Sequence, residues 1–77
     1  MSSGRITELP LDEREALVEI ALERGLLSGR ELAILQWWSK GYGVGKTARL
    51  LGLHESTVRT FRDRALRKLS AYVRRAS

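Results

Sequence analysis

From Leu53 to the end of the chain there is neither glycine nor proline. Within that stretch Val58, Phe61, Ala65, Leu69, Tyr72 and Ala76 recur at spacings of three and four, which places them on one narrow stripe of an α-helix. The pattern predicts a helix over about residues 55–74. The whole chain has 77 residues, one small domain, below the size at which a chain divides into two cores. It has no cysteine and a single histidine, His54. No disulfide framework and no metal site is available from those residues, so packing alone supplies the core, and no cofactor is expected.

Three shorter helices are expected ahead of the long one, giving an all-α, four-helix fold. Asp12 reads as an N-cap with Glu15 at the third helical position, and Gly25 as a left-handed stop, so the first helix is expected over about 13–24. Its core stripe is Leu17, Ile20 and Ala21, with Glu15, Glu19 and Glu23 on the opposite side. That acidic stripe reads as a solvated face or as a surface for a basic protein partner. Ser28-Gly29-Arg30-Glu31 forms a capping box, flanked by Leu27 and Leu32 as a hydrophobic staple. The second helix, about 29–40, carries Leu32, Ile34, Leu35 and Trp38 inward and ends at Gly41. Trp37 lies about 200° from Leu35 on the wheel, so the two tryptophans cannot share one core centre. Trp37 has two readings: packing on the first helix or the N-terminal arm, or an aromatic anchor for a partner protein.

Gly41-Tyr42-Gly43-Val44-Gly45-Lys46-Thr47 ends like a phosphate-binding loop but lacks its frame. That motif needs four residues between its glycines, a preceding buried strand and a parallel sheet; here three residues separate Gly41 from Gly45 and a capped helix precedes them. The segment instead opens a short third helix, about 44–51, with Gly43 at its cap and Val44, Ala48 and Leu51 inward. A short helix, the turn Gly52-Leu53-His54 and a further helix make a helix-turn-helix layout, in which small Ala48 allows close approach and Leu53 plugs the core.

Charge follows the same division. Residues 1–38 carry four basic and seven acidic side chains, a net of −3, whereas residues 39–77 carry ten basic side chains against Glu55 and Asp63, a net of +8. A basic half of that kind points to a polyanion, because phosphate neutralisation dominates nucleic-acid affinity. Eleven of the fourteen cations are arginine, the side chain suited to two-pronged phosphate and guanine contacts. Opposite its apolar stripe, the long helix presents Ser56, Thr60, Asp63 and Arg67, with Arg59 and Arg64 flanking. Hydroxyls that approach closely, arginines that fork onto guanine and an aspartate that accepts from cytosine are what base-edge reading requires. No apolar run nears the ~20 residues of a membrane span, and Met1-Ser2-Ser3-Gly4 lacks the blocks of a signal peptide. A cytoplasmic, nucleoid-associated protein with no membrane partner is expected.

From Leu27 to Leu69 the sequence resembles the helix-turn-helix of bacterial sigma factor region 4 and of the related LuxR-type regulators. The matching positions are Leu27-Ser28 with Arg30-Glu31, then Gly41, Ala48, Leu51-Gly52-Leu53, Thr57-Val58-Arg59 and the tail Arg64-Ala65-Leu66-Arg67-Lys68-Leu69. The resemblance implies a bacterial or phage transcription regulator that reads promoter DNA in the major groove. It implies Glu55, Ser56, Arg59, Thr60 and Asp63 at base-facing positions. Phosphate-contacting candidates are Lys46, Arg49, His54, Thr57, Arg62, Arg64 and Arg67. Only eight residues follow Leu69, too few for the separate dimerisation helix of a LuxR-type domain, which tilts the comparison toward region 4. Two positions depart from the pattern. Lys46 and Thr47 stand where the family places Glu and a branched aliphatic; Lys46 opposes the helix dipole at about 0.3–1 kcal/mol while offering a cation to phosphate. His54 stands where a capping Ser or Thr is common. Nothing resembles the sigma region that melts promoter DNA, so the chain is not expected to act alone as a sigma factor.

Two functional classes compete on this basis: sequence-specific binding of double-stranded DNA, and a protein-interaction module docking on RNA polymerase or a sigma factor through the first helix, Trp37, or Tyr72 and Val73. Tyr72, Val73 and Ala76 also offer a homodimer contact. An enzyme is not expected, because no nucleophile, base and phosphate loop are arranged together.

Overall fold

The computed structural model describes residues 9–76. Arg5 and Glu8 in the charge count, the Met1–Gly4 segment and the N-terminal arm suggested as a neighbour for Trp37 lie outside them. Four helices follow one another among the described residues: α1 (Leu11–Arg24), α2 (Gly29–Trp38), α3 (Val44–Leu51) and α4 (Glu55–Ala76). They form an all-helical domain whose longest dimension, 36 Å, is close to the ~33 Å that a helix as long as α4 spans.

α2 runs through the middle and buries two sides of itself. On one side Leu35 and Trp38 meet Leu17, Val18 and Ala21 of α1 and Ala65, Leu66 and Leu69 of α4. On the other, Ile34 meets Ala48 of α3 and Val58 of α4, with Val44, Leu51, Leu53 and Phe61 packed around them. The first cluster attaches α1 to the C-terminal half of α4; the second joins the helix-turn-helix pair. The angle between α3 and α4 is therefore set by side chains reaching across from α2.

Several local expectations are corrected. α1 begins at Leu11 with Pro10, not Asp12, at its N-cap. Proline there gives up no hydrogen bond, since the first N–H groups of a helix have no internal partner, and its carbonyl accepts the Arg14 N–H at 3.0 Å. Asp12 sits in the first turn, its Oδ1 accepting the Glu13 N–H at 3.0 Å. On α1 Val18 is buried and Ile20 only half-buried, because α2 and α4 lie on the side that Leu17, Val18 and Ala21 share. On α2 Leu32 is half-buried and Glu31 is buried instead. On α4 Leu66 joins the core and Ala76 is exposed, since the helix outruns its neighbours.

Arg14 fastens the start of α1 to the end of α2. Its Nε donates to the Leu9 carbonyl at 2.8 Å and its Nη1 to the Trp38 carbonyl at 3.1 Å. Its guanidinium also lies 4.8 Å from the Trp38 ring centroid, a cation at the negative end of α2.

Three helix ends share one design. Gly25, Gly41 and Gly52 have positive φ, and the residue after each donates its N–H five residues back: Leu26 to Ala21 (3.0 Å), Tyr42 to Trp37 (3.1 Å) and Leu53 to Ala48 (2.9 Å). This left-handed closure folds the following side chain onto the last turn of its own helix. Gly41, at φ +89°, is the most constrained, since a Cβ there would also stand 3.4 Å from Leu11 Cδ2.

Candidate nucleic-acid interface

The turn between α3 and α4 is Gly52, Leu53 and His54. Leu53 packs into the core between the two helices, and the His54 carbonyl accepts the Val58 N–H at 3.1 Å as the first bond of α4. Thr47 and Ala48 of α3 are buried against this arrangement. A short helix is thus held against the N-terminal half of a long one, with the far side of the long one left open.

That open side holds most of the residues expected to read bases. Ser56, Arg59, Thr60, Asp63, Arg64 and Arg67 are all exposed, while Val58, Ala65, Leu66 and Leu69 are buried on the other side of α4. Helical spacing brings Ser56, Thr60, Asp63 and Arg67 together as neighbours separated by three or four residues. Glu55 is exposed, yet its Oε2 stands only 3.3 Å from where a Cβ on Gly45 would be. It leans back across the turn onto the first turn of α3, apart from the Ser56–Arg67 row.

The residues expected at phosphates divide by environment. Lys46, Arg49 and His54 are exposed on α3 and the turn, and Thr57 is half-buried. Arg64 lies over the Phe61 ring at 5.5 Å, and Arg30 of α2 lies over the same ring at 5.6 Å. Arg62 is half-buried, and its Nε is enclosed without a hydrogen-bond partner. It falls on the packed side of α4 between Val58 and Leu66, so the structure does not bring it into the exposed row.

Of the side chains considered for a protein partner, Trp37 is half-buried and stacks on Tyr42, a neighbour that sequence reasoning missed. A signal for it existed: a glycine stop at Gly41 places the next residue against the residue five before it. Tyr72 is half-buried beneath Arg24, whose guanidinium lies 5.9 Å from its ring centroid, and Val73 is 41% exposed.

The capping box expected at Ser28 forms, and its Glu31 makes a further contact that sequence reasoning missed. Its Oε1 accepts the Ser28 N–H at 2.9 Å while the Ser28 Oγ accepts the Glu31 N–H at 3.2 Å, completing the capping box. The same Oε1 accepts from Lys68 Nζ of α4 at 2.9 Å. Burial pushes the Glu31 carboxyl up, but the Ser28 donors and the Lys68 ammonium outweigh it and hold the group below its ordinary value. This pair joins the start of α2 to the middle of α4, at the residue that follows the end of the exposed row. Among the described residues no group of His, Cys, Asp or Glu side chains is placed to hold a metal ion, and no helix is long and apolar enough to cross a membrane.

Residues 25–76 match the model of the family described as bacterial regulatory proteins, luxR family. The chain belongs to this family. The match covers about two thirds of the sequence and includes α2, α3, the turn and α4. It favours the LuxR-type side of the resemblance over the region 4 side toward which the short tail tilted the comparison. The domain of this family is a helix-turn-helix module for DNA binding and transcription regulation, a regulatory rather than an enzymatic class. No curated protein and no solved structure gives a match.

Proposed function

We propose that this luxR-family chain binds double-stranded DNA sequence-specifically as a small transcription regulator, with α4 in the major groove. The observation that carries the reading is the exposed row Ser56, Thr60, Asp63 and Arg67, bordered by Arg59 and Arg64, on a helix whose opposite side is packed. Its side chains match what base edges offer: guanine presents two acceptors that an arginine fork meets, and cytosine presents a donor that a carboxylate accepts. Arg59 and Thr60 read bases, with Ser56 and Asp63 beside them and Glu55 at the helix entry. Lys46, Arg49, His54, Thr57, Arg64 and Arg67 supply phosphate contacts, without Arg62, which falls on the packed side of α4. α1, with its acidic side chains, faces away from the duplex, which its charge would repel.

Titration of duplex DNA at low and at moderate salt tests this. Binding that weakens steeply as salt rises, with competition by some sequences and not others, is the expected result. Absence of binding at both salts, together with co-purification of the chain with RNA polymerase, would assign it instead to protein docking.

A further inference from the structure

Trp37 and Tyr42 stand outside both hydrophobic clusters. Of the three residues that follow a positive-φ glycine, Leu26 and Leu53 fold back into a core; Tyr42 folds back and stacks on Trp37, ring centroids 5.1 Å apart and planes 22° from parallel. The same tyrosine ring carries the Lys46 ammonium 4.6 Å from its centroid. Lys46 is exposed in the first turn of α3, a turn without an acidic residue, and has no ion-pair partner among the described residues. The cation therefore stands against its own helix dipole, held by an aromatic face and not by a carboxylate.

That difference in partner matters chemically. A carboxylate would cancel the charge and take up N–H donors. A ring face attracts the ammonium through its quadrupole while leaving the full charge in place and its N–H groups free for oxygen acceptors. A lysine held in this way gives up less side-chain freedom when it meets an anion, which is how preorganisation raises affinity. We infer that Tyr42, braced by Trp37, is a positioning residue for the DNA backbone: it holds the Lys46 ammonium at the start of α3 to receive a phosphate of the duplex. The inference rests on the DNA-binding reading above and assigns a role to the aromatic pair that neither core uses.

The test is the salt dependence of binding to a labelled random-sequence duplex, followed by fluorescence anisotropy with the full chain. Lys46→Ala should reduce the slope of log K against log salt by about 0.9, one phosphate contact. Tyr42→Leu should weaken binding about 2- to 5-fold and shift the slope in the same direction, while Tyr42→Phe, which keeps the ring, should restore both. In the Lys46→Ala background, Tyr42→Leu should cost nothing further. Circular dichroism at the binding temperature establishes that each variant is folded, and a Tyr42→Leu chain that fails this check is replaced by Tyr42→Met. Wild-type binding with fully additive Tyr42 and Lys46 effects, or a ring-removing variant that binds as well as or better than wild type, overturns the inference alone. A wild-type chain that binds no duplex overturns the DNA-binding reading and the inference with it.

Discussion

Lys68 of α4 donates to the Glu31 carboxylate at 2.9 Å, and that carboxylate is the one that caps α2 through the Ser28 N–H. A local helix-start signal and a contact between residues 37 apart in sequence converge on one oxygen. Glu31 is 2% exposed and Lys68 47%, so the pair is screened on one side only. Losing the half-exposed lysine costs about 1 kcal/mol, since the Ser28 N–H still serves the carboxylate; losing both donors would cost more.

The pair makes stability sensitive to acid. The Glu31 carboxyl lies below its ordinary value in the folded chain and returns to it on unfolding. Its contribution is therefore complete above the ordinary carboxylate range and declines as pH falls through the folded value. Glu31→Gln keeps a capping acceptor but has no charge to titrate. Thermal melts at neutral pH and at about pH 3 should show the wild-type chain losing its advantage over Glu31→Gln on acidification. An advantage that stays constant between the two conditions contradicts the assignment.

Gly41 and Gly29 should respond in opposite directions to alanine. At Gly41 the positive φ and the Leu11 methyl 3.4 Å from the Cβ position make Gly41→Ala destabilising by about 1–2 kcal/mol. Gly29 opens α2 with nothing within 4 Å of its Cβ position, so Gly29→Ala should gain about 0.4–1 kcal/mol. Urea denaturation of both variants measures the contrast, and equal shifts would refute it.

Val18 and Ile20 distinguish the two possible inner sides of α1. Val18 is buried and Ile20 half-buried, so Val18→Ala should cost more stability than Ile20→Ala although it removes fewer carbons. Leu66→Ala, in the same cluster, should cost about 2–5 kcal/mol. The reverse order for Val18 and Ile20 in denaturant midpoints would place α2 on the other side of α1.

Much of this architecture was legible because its signals are local. The glycine stops, the Ser28–Glu31 box and the apolar spacing of α4 each act within a few residues, and each has a physical cause that a sequence displays. What was illegible depends on neighbours. Leu17 and Ala21 are compatible with either Val18 or Ile20 as the third inward residue, and only the position of α2 decides between them. Glu31 reads as a cap and nothing more until Lys68 is brought to it. Arg62 has the charge of a phosphate ligand but the helical position of a core residue, and its composition concealed its half-burial. The wheel shows that Trp37 cannot share a core centre with Trp38, yet the ring that receives it is set only where Gly41 turns the chain.

Arg59 separates base reading from phosphate contact. As an exposed residue bordering the row on α4, it should contribute to discrimination: Arg59→Ala is expected to cost about 1–3 kcal/mol on a preferred sequence and little on a random one. A loss of equal size on both in competition binding would move Arg59 to the phosphate class.

Whether the exposed face of α4 reads base sequence in the major groove is decided by selecting bound molecules from a pool of random duplex DNA with the wild-type chain. Enrichment of a short motif is expected, with Arg59→Ala relaxing preference at a defined base pair within it. A pool that is bound but returns no enriched motif would show attraction to phosphates without reading, and a pool left unbound at low salt would contradict the claim outright.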